Sequence, residues 1–462
     1  MIKNVFSQNS SPIELKSELN CFLISQKQTA ALVLYQSVLT DRVGESWVNL
    51  LESLIYSHNN PAHCLNCLQA YGNWFKALAE INLGWQEYLI TRILRDENPF
   101  SQQVQRQNFD DLPQVLLDAA AWDLRMLQGL YQLDNKWLRD CVERSASDRI
   151  SSTLSDNHPP LPIVPATWSK NPSRGLKPAE IEIYTKFATA EDWVALLPDL
   201  AGYYRQCGTG IFAEYQALRW QSGELVGIKT PDPVRITDLC GYEEPKQQLI
   251  KNTEFLLAGY PALNILLYGS RGSGKSSLVK GLLNQYSDRS LRLIEVPKSE
   301  LQDLPQIVEQ LRDLPQKFII FVDDLSFAED DEAFKALKVV LEGSVTARPS
   351  NVVVYATSNR RHLVREFFAD RPRPKDADEV QSWDTVQEKL SFSDRFGLTL
   401  TFEPADQETY LEIVRHLAAL AQIDIPEDNL DYRALQWATR HNGRSGRTAR
   451  QFIDFLTADL GN

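Results

Sequence analysis

Cysteine is scarce in this chain of 462 residues: six are scattered along it, too few and too dispersed for a disulfide framework, and they are expected to be reduced. Long apolar runs are missing too. None approaches the roughly 20 residues that span a bilayer, so no membrane association is expected. The opening stretch, MIKNVFSQNSSPIELKSEL, has no apolar segment of signal-peptide type, and its Glu14 and Glu18 argue against a transit peptide. A cytoplasmic location is expected. An excess of basic charge is a further absence: 48 Lys and Arg against 61 Asp and Glu give a net charge of −13, which opposes broad attraction to nucleic acid or anionic membrane but leaves room for a local basic site. No tandem repeat is convincing. The pair in His63-Cys64-Leu-Asn-Cys67 lacks the second pair that a structural zinc site needs, and is read as small apolar residues on helix faces.

What is present divides into two textures. The first 225 or so residues hold eight of the ten tryptophans and long stretches of helical spacing, such as 73–90 and 112–124. This region is read as an all-helical N-terminal domain, 1–225, with its aromatics mainly in a core and a proline-rich interruption at 155–165. Beyond the break at Ile228-Lys-Thr-Pro-Asp-Pro the pattern changes to short β-rich runs at 264–268, 291–296, 318–322, 352–356 and 398–402, with helical segments between them. That alternation predicts an α/β domain, 226–402, built on a parallel five-stranded sheet with helices on both faces. A helical lid is expected over 403–462. Sheets of this kind bind ligands at the carboxyl ends of their strands, so the residues just after each run are the candidates.

After the first run comes Gly269-Ser270-Arg271-Gly272-Ser273-Gly274-Lys275-Ser276, with Ser277 opening an amphipathic helix. The spacing Gly-four residues-Gly-Lys-Ser between a strand and a helix is the phosphate-binding P-loop. Such a turn points successive N–H groups into an anion-sized nest, and the helix adds its positive end. Lys275 would reach the β- and γ-phosphates of ATP, and the Ser276 hydroxyl would hold Mg²⁺. After the third run stands Asp323-Asp324: an apolar strand ending in an acid supports Mg²⁺ through the first carboxylate, leaving Asp324 to polarise the attacking water. The fourth run ends Thr357-Ser358-Asn359, where a polar side chain beside the γ-phosphate can orient the water. Asn359 is preferred, with Ser358 and Thr357 as close alternatives.

Together these residues resemble an AAA+ ATPase over roughly 232–462. The resemblance rests on Leu239-Cys-Gly-Tyr-Glu near the start of the domain, the P-loop, the acidic strand end, Asn359, the Arg395-Phe-Gly motif and Arg447 in Gly443-Arg-Ser-Gly-Arg447. Wording such as IIFVDDLSF and SDRFGLTLTF is most similar to a bacterial family of functionally uncharacterised AAA+-type ATP-binding proteins, with some likeness to replication-initiator ATPases. The resemblance implies a homo-oligomer in which Arg395 acts in trans as an arginine finger. It also implies that Arg447 clamps the nucleotide of its own protomer, and that Gly241 and Tyr242 lie near the adenine.

Two departures limit it. The acidic pair is Asp-Asp where most relatives have Asp-Glu, which places the second carboxylate roughly 1.5 Å farther back and implies slow hydrolysis. A charged insertion at 369–390 precedes Arg395. The expectation is Mg-ATP hydrolysis coupled to an unknown protein partner through the N-terminal domain. Alternatives are an ATP-gated scaffold with little turnover, or an initiator-like DNA-binding ATPase. The arginines at 433, 440, 444, 447 and 450 make nucleic-acid contact an open but less favoured option.

Overall fold

The helical periodicity of the first half becomes nine α-helices among the described residues before residue 210: α1 (Pro12–Ala30), α2 (Arg42–Asn59), α3 (Cys64–Ile81), α4 (Trp85–Arg95), α5 (Pro99–Arg106), α6 (Gln114–Tyr131), α7 (Asn135–Thr153), α8 (Pro178–Thr189) and α9 (Leu197–Cys207). The computed structural model describes residues 12–59, 64–153, 178–326, 332–342, 348–359, 395–441 and 443–461. His63, the proline-rich stretch and the insertion at 369–390 lie outside them. Two compact units result, 1–210 and 211–462.

In the first unit four tryptophans, at 47, 74, 85 and 193, pack in the core, whereas Trp122 is exposed. Trp47 stacks on Trp85 with ring centroids 4.3 Å apart, and Trp74 and Trp193 are buried with them. Cys67 is buried and donates its Sγ–H to the Ser53 carbonyl. Local chemistry sets the helix ends. Asn98 accepts the Phe100 and Ser101 amides ahead of α5 while Ser101 Oγ accepts the Asn98 N–H, and Pro99 supplies the preset first turn.

The second unit is organised by its sheet, and here the expectation of five strands is corrected: among the described residues there are seven. Beyond a short helix α10 (Gly210–Glu214), the strands are β1 (Ala217–Gln221), β2 (Glu224–Gly227), β3 (Ile265–Gly269), β4 (Leu291–Glu295), β5 (Lys317–Val322), β6 (Val352–Ser358) and β7 (Leu398–Phe402). Their order is β2-β1-β4-β5-β6-β3-β7. All pairings are parallel except the β1–β2 hairpin. The hairpin falls where the sequence reading expected helix up to residue 225. Its two-residue turn, Ser222-Gly223, has φ of 53° and 84°, the backbone twist that suits tight hairpins, and Leu218 and Trp220 bury one face of β1.

Both faces of the central strands are covered. Along β5, Phe318, Ile320 and Val322 face one apolar cluster while Ile319 and Phe321 face the other, so the strand reads as continuously apolar. The cluster around Ile319 takes in α11 (Glu243–Leu257) and α12 (Lys275–Tyr286), and the opposite one takes in α13 (Leu304–Leu311) and α14 (Glu332–Glu342). Three further helices, α15 (Gln407–Leu420), α16 (Glu427–Arg440) and α17 (Gly446–Gly461), share a small core of their own around Tyr410, Val414, Ala434, Phe452 and Leu456. Among the described residues no helix is long and apolar enough to cross a membrane.

Candidate functional site

Strand β3 ends in a glycine for a steric reason. A Cβ on Gly269 would meet the Phe402 carbonyl oxygen at 1.9 Å, because β7 runs alongside and Phe402 O accepts the Ser270 N–H at 2.9 Å. The loop then turns through Gly272, whose φ is +76° and whose absent Cβ would touch Ser445 Oγ at 2.9 Å and Arg447 Cβ at 3.1 Å. At this point the start of α17 closes on the loop, and the Arg447 amide donates to the Gly272 carbonyl at 3.1 Å. Helix α12 begins at Lys275 with its first amides directed to the loop.

Lys275 is 6 % exposed. Its ammonium donates to the carbonyls of Ser270 at 2.7 Å and Gly269 at 3.2 Å, with Asn359 Oδ1 3.4 Å away. Burial draws its pKa below the usual lysine range; Asp323 and Asp324 oppose that shift and Arg447 adds to it. At the ends of β5 and β6 the remaining candidates meet. Ser276 Oγ donates to Asp323 Oδ1 at 2.6 Å, and Asn359 Nδ2 donates to Asp324 Oδ1 at 2.7 Å. Asp324 has φ of 51°, a left-handed backbone that Asp tolerates better than most residues. Thr357 Oγ1 donates to Asp323 Oδ1 at 2.5 Å and accepts the Asp324 N–H at 2.9 Å. Ser358 is directed elsewhere, to the Leu325 carbonyl.

These side chains line a cleft of about 670 Å³. Arg271, Gly272, Ser273, Gly274, Ser276 and Ser277 form its floor, and Arg447 and Arg450 its helical wall. Gly241 and Tyr242 line it as well; the Tyr242 hydroxyl donates to the Glu403 carbonyl at 2.7 Å. Gly269 and Ser270 sit beneath Lys275, contributing carbonyls. Cations and carboxylates side by side suit a polyanion with a divalent ion, while Leu239, Ile413 and Leu417 give one end an apolar lining. Ile413 and Leu417 escaped the sequence reading because, on an amphipathic helix, they are indistinguishable from core.

Arg395 is not brought to this cleft. It is ion-paired with Glu342 at the end of α14 and 19 % exposed at its side chain. Of the arginines between 433 and 450, Arg447 and Arg450 line the cleft, while Arg433 pairs with Asp459 and Arg444 donates to Gln407.

Solved structures of the Thermotoga maritima RuvB Holliday junction branch migration motor match the chain at 14% identity over 48% of this chain and 72% of theirs, with a TM-score of 0.31. A single-substitution variant of that protein gives 15% identity over the same shares, also at 0.31. No curated protein matches. Residues 213–460, more than half of the chain, match the family described as "Protein of unknown function (DUF815)", in keeping with the resemblance to an uncharacterised family, and the chain belongs to that family.

Proposed function

We propose that the second unit binds Mg-ATP in the cleft at the ends of β3, β5 and β6 and hydrolyses it by in-line attack of water on the γ-phosphate. The observation that carries this reading is the meeting of Lys275, Asp323, Asp324 and Asn359 around one loop and helix start, since phosphoryl transfer needs positioning and charge stabilisation more than covalent chemistry. The glycine-rich loop amides and Lys275 hold the phosphates. Ser276 and Asp323 are oxygen donors of the kind a small hard cation takes, and they would hold Mg²⁺, which neutralises charge on the β- and γ-oxygens. Asp324 and Asn359 orient the water. Arg447, tied to the loop through its own amide, clamps the nucleotide from the lid.

Because Arg395 lies outside its own cleft, it would act on a neighbouring protomer in a homo-oligomer, and the helical first unit would engage a protein partner. A cytoplasmic location fits this reading. A second reading is an ATP-gated scaffold with little turnover. It is favoured by Asp324, whose short side chain already accepts a bond from Asn359. Calorimetric titration with ATP and a phosphate-release assay test both. The parent protein should bind ATP, and Lys275→Ala should lose at least ~10-fold in affinity, about 1.4 kcal/mol; equal affinity would sink the nucleotide site. Binding without phosphate release would leave the scaffold.

A further inference from the structure

Thr357 is 2 % exposed at the end of β6, yet its hydroxyl reaches both carboxylate residues of the cleft. It donates to Asp323 Oδ1 at 2.5 Å and accepts the Asp324 N–H at 2.9 Å, while the Thr357 carbonyl accepts the Leu325 N–H at 2.7 Å. One buried residue thus holds three consecutive positions of the turn that follows β5. The result for Asp323 is asymmetric. Its Oδ1 accepts from Ser276 Oγ at 2.6 Å, from Thr357, and from the Asp324 amide at 3.2 Å; Oδ2 has no bond to any described residue. For Asp324 the effect is on the backbone: the amide held by Thr357 belongs to a residue with φ of 51°, a left-handed conformation that costs energy even for Asp and that this bond helps to offset.

We propose that Thr357 is a positioning residue for both carboxylates: it fixes which oxygen of Asp323 faces the cation and holds the left-handed turn that brings Asp324 to Asn359. This rests on the Mg-ATP reading above. It also separates Thr357 from a role in contacting the γ-phosphate, because its hydroxyl proton is committed to Asp323. Ser276 is the partner of Asp323 that a cation would claim, which leaves Thr357 as the side chain that keeps the carboxylate aligned. Outer-shell partners of this kind are typically worth 10- to 100-fold in metal affinity or activity.

Thr357→Val keeps the shape and removes the hydroxyl; Thr357→Ser keeps the hydroxyl. ATP is titrated calorimetrically into each protein with Mg²⁺ and with EDTA, and thermal melts check folding. In EDTA the parent and both variants should bind ATP alike. With Mg²⁺ the parent and Thr357→Ser should gain affinity, and Thr357→Val should gain at least ~10-fold less, with turnover at saturating ATP and Mg²⁺ falling in step. If Thr357→Val gains as much from Mg²⁺ as the parent, the inference is overturned. It is equally overturned if Thr357→Val loses ATP affinity in EDTA, or if Thr357→Ser melts and binds as poorly as Thr357→Val, since either result marks a structural residue. A parent protein that fails to bind ATP, or binds it without regard to Mg²⁺, defeats the underlying function instead.

Discussion

Asp123 in the first unit and Asp323 in the second are both hydrogen-bonded carboxylates, and they are used in opposite ways. Asp123 is fully buried, and both its oxygens accept main-chain amides, from Val33, Leu34 at 2.6 Å and Tyr35 at 2.8 Å. Its acceptor capacity is consumed in pinning the segment between α1 and α2. Asp323 faces the cleft and is bonded through one oxygen only among the described residues. A saturated carboxylate stabilises; a half-saturated one, held still, is ready for a ligand. Tyr88, which donates to the Val38 carbonyl and to Asp41, follows the first pattern.

The contrast can be broken by substitution. The largest effect is expected at Arg395. Arg395→Ala should bind ATP almost normally and lose at least ~10³-fold in turnover, the scale of an arginine finger. Mixed equally with Asp324→Ala it should regain activity at about a quarter of interfaces. Mixed assemblies that form but stay inactive would remove the proposed shared site.

Asp123→Ala should instead cost about 2–3 kcal/mol of stability in urea unfolding, because the main-chain amides of Val33, Leu34 and buried Tyr35 lose their acceptor, while ATP affinity is unchanged. A loss of ATP binding in the folded variant would erase the distinction between the two carboxylates. Gly272→Ala comes next. The left-handed backbone costs about 1–2 kcal/mol for a residue with a side chain, and the new methyl meets Ser445 and Arg447, so ATP affinity should fall by about 10-fold.

The smallest effect belongs to Lys275→Met. The folded-state pKa of Lys275 lies below the unfolded value of 10.5. Between those two pKa values the unfolded chain binds more protons, so stability rises with pH through that window. Below it the cost of burying the charge is present in full. The Met variant should therefore be slightly more stable than the parent at neutral pH, with the advantage shrinking toward pH 10.5 in denaturant titrations.

The features legible in the sequence were those written in contiguous residues. The loop from Gly269 to Ser276, the apolar strand ending at Asp323 and the polar end of β6 each carry their chemistry in local spacing, and the structure brings Lys275, Asp323, Asp324 and Asn359 together. The β1–β2 hairpin was missed because its strands are only five and four residues long and follow a long helical region; the signal was Ser222-Gly223 between apolar alternations. The bond from Thr357 to Asp323 had no local signature, since it joins strands that are neighbours only in the folded sheet. The same holds for the pairing of Arg395 with Glu342.

The contact between the glycine-rich loop and α17 has a kinetic consequence. The first amides of any helix lack partners within it, and at this helix start two adjacent ones are protected in different ways. The Thr448 amide donates to Ser445 Oγ, a cap from the same segment, whereas the Arg447 amide donates to Gly272, far away in sequence. Deuterium uptake at Thr448 reports fraying of the helix end. Uptake at Arg447 reports, in addition, every separation of that helix from the loop. The ratio of the two rates would thus report any opening of the cleft without a label, and under the proposed Mg-ATP reading it should fall when nucleotide is added.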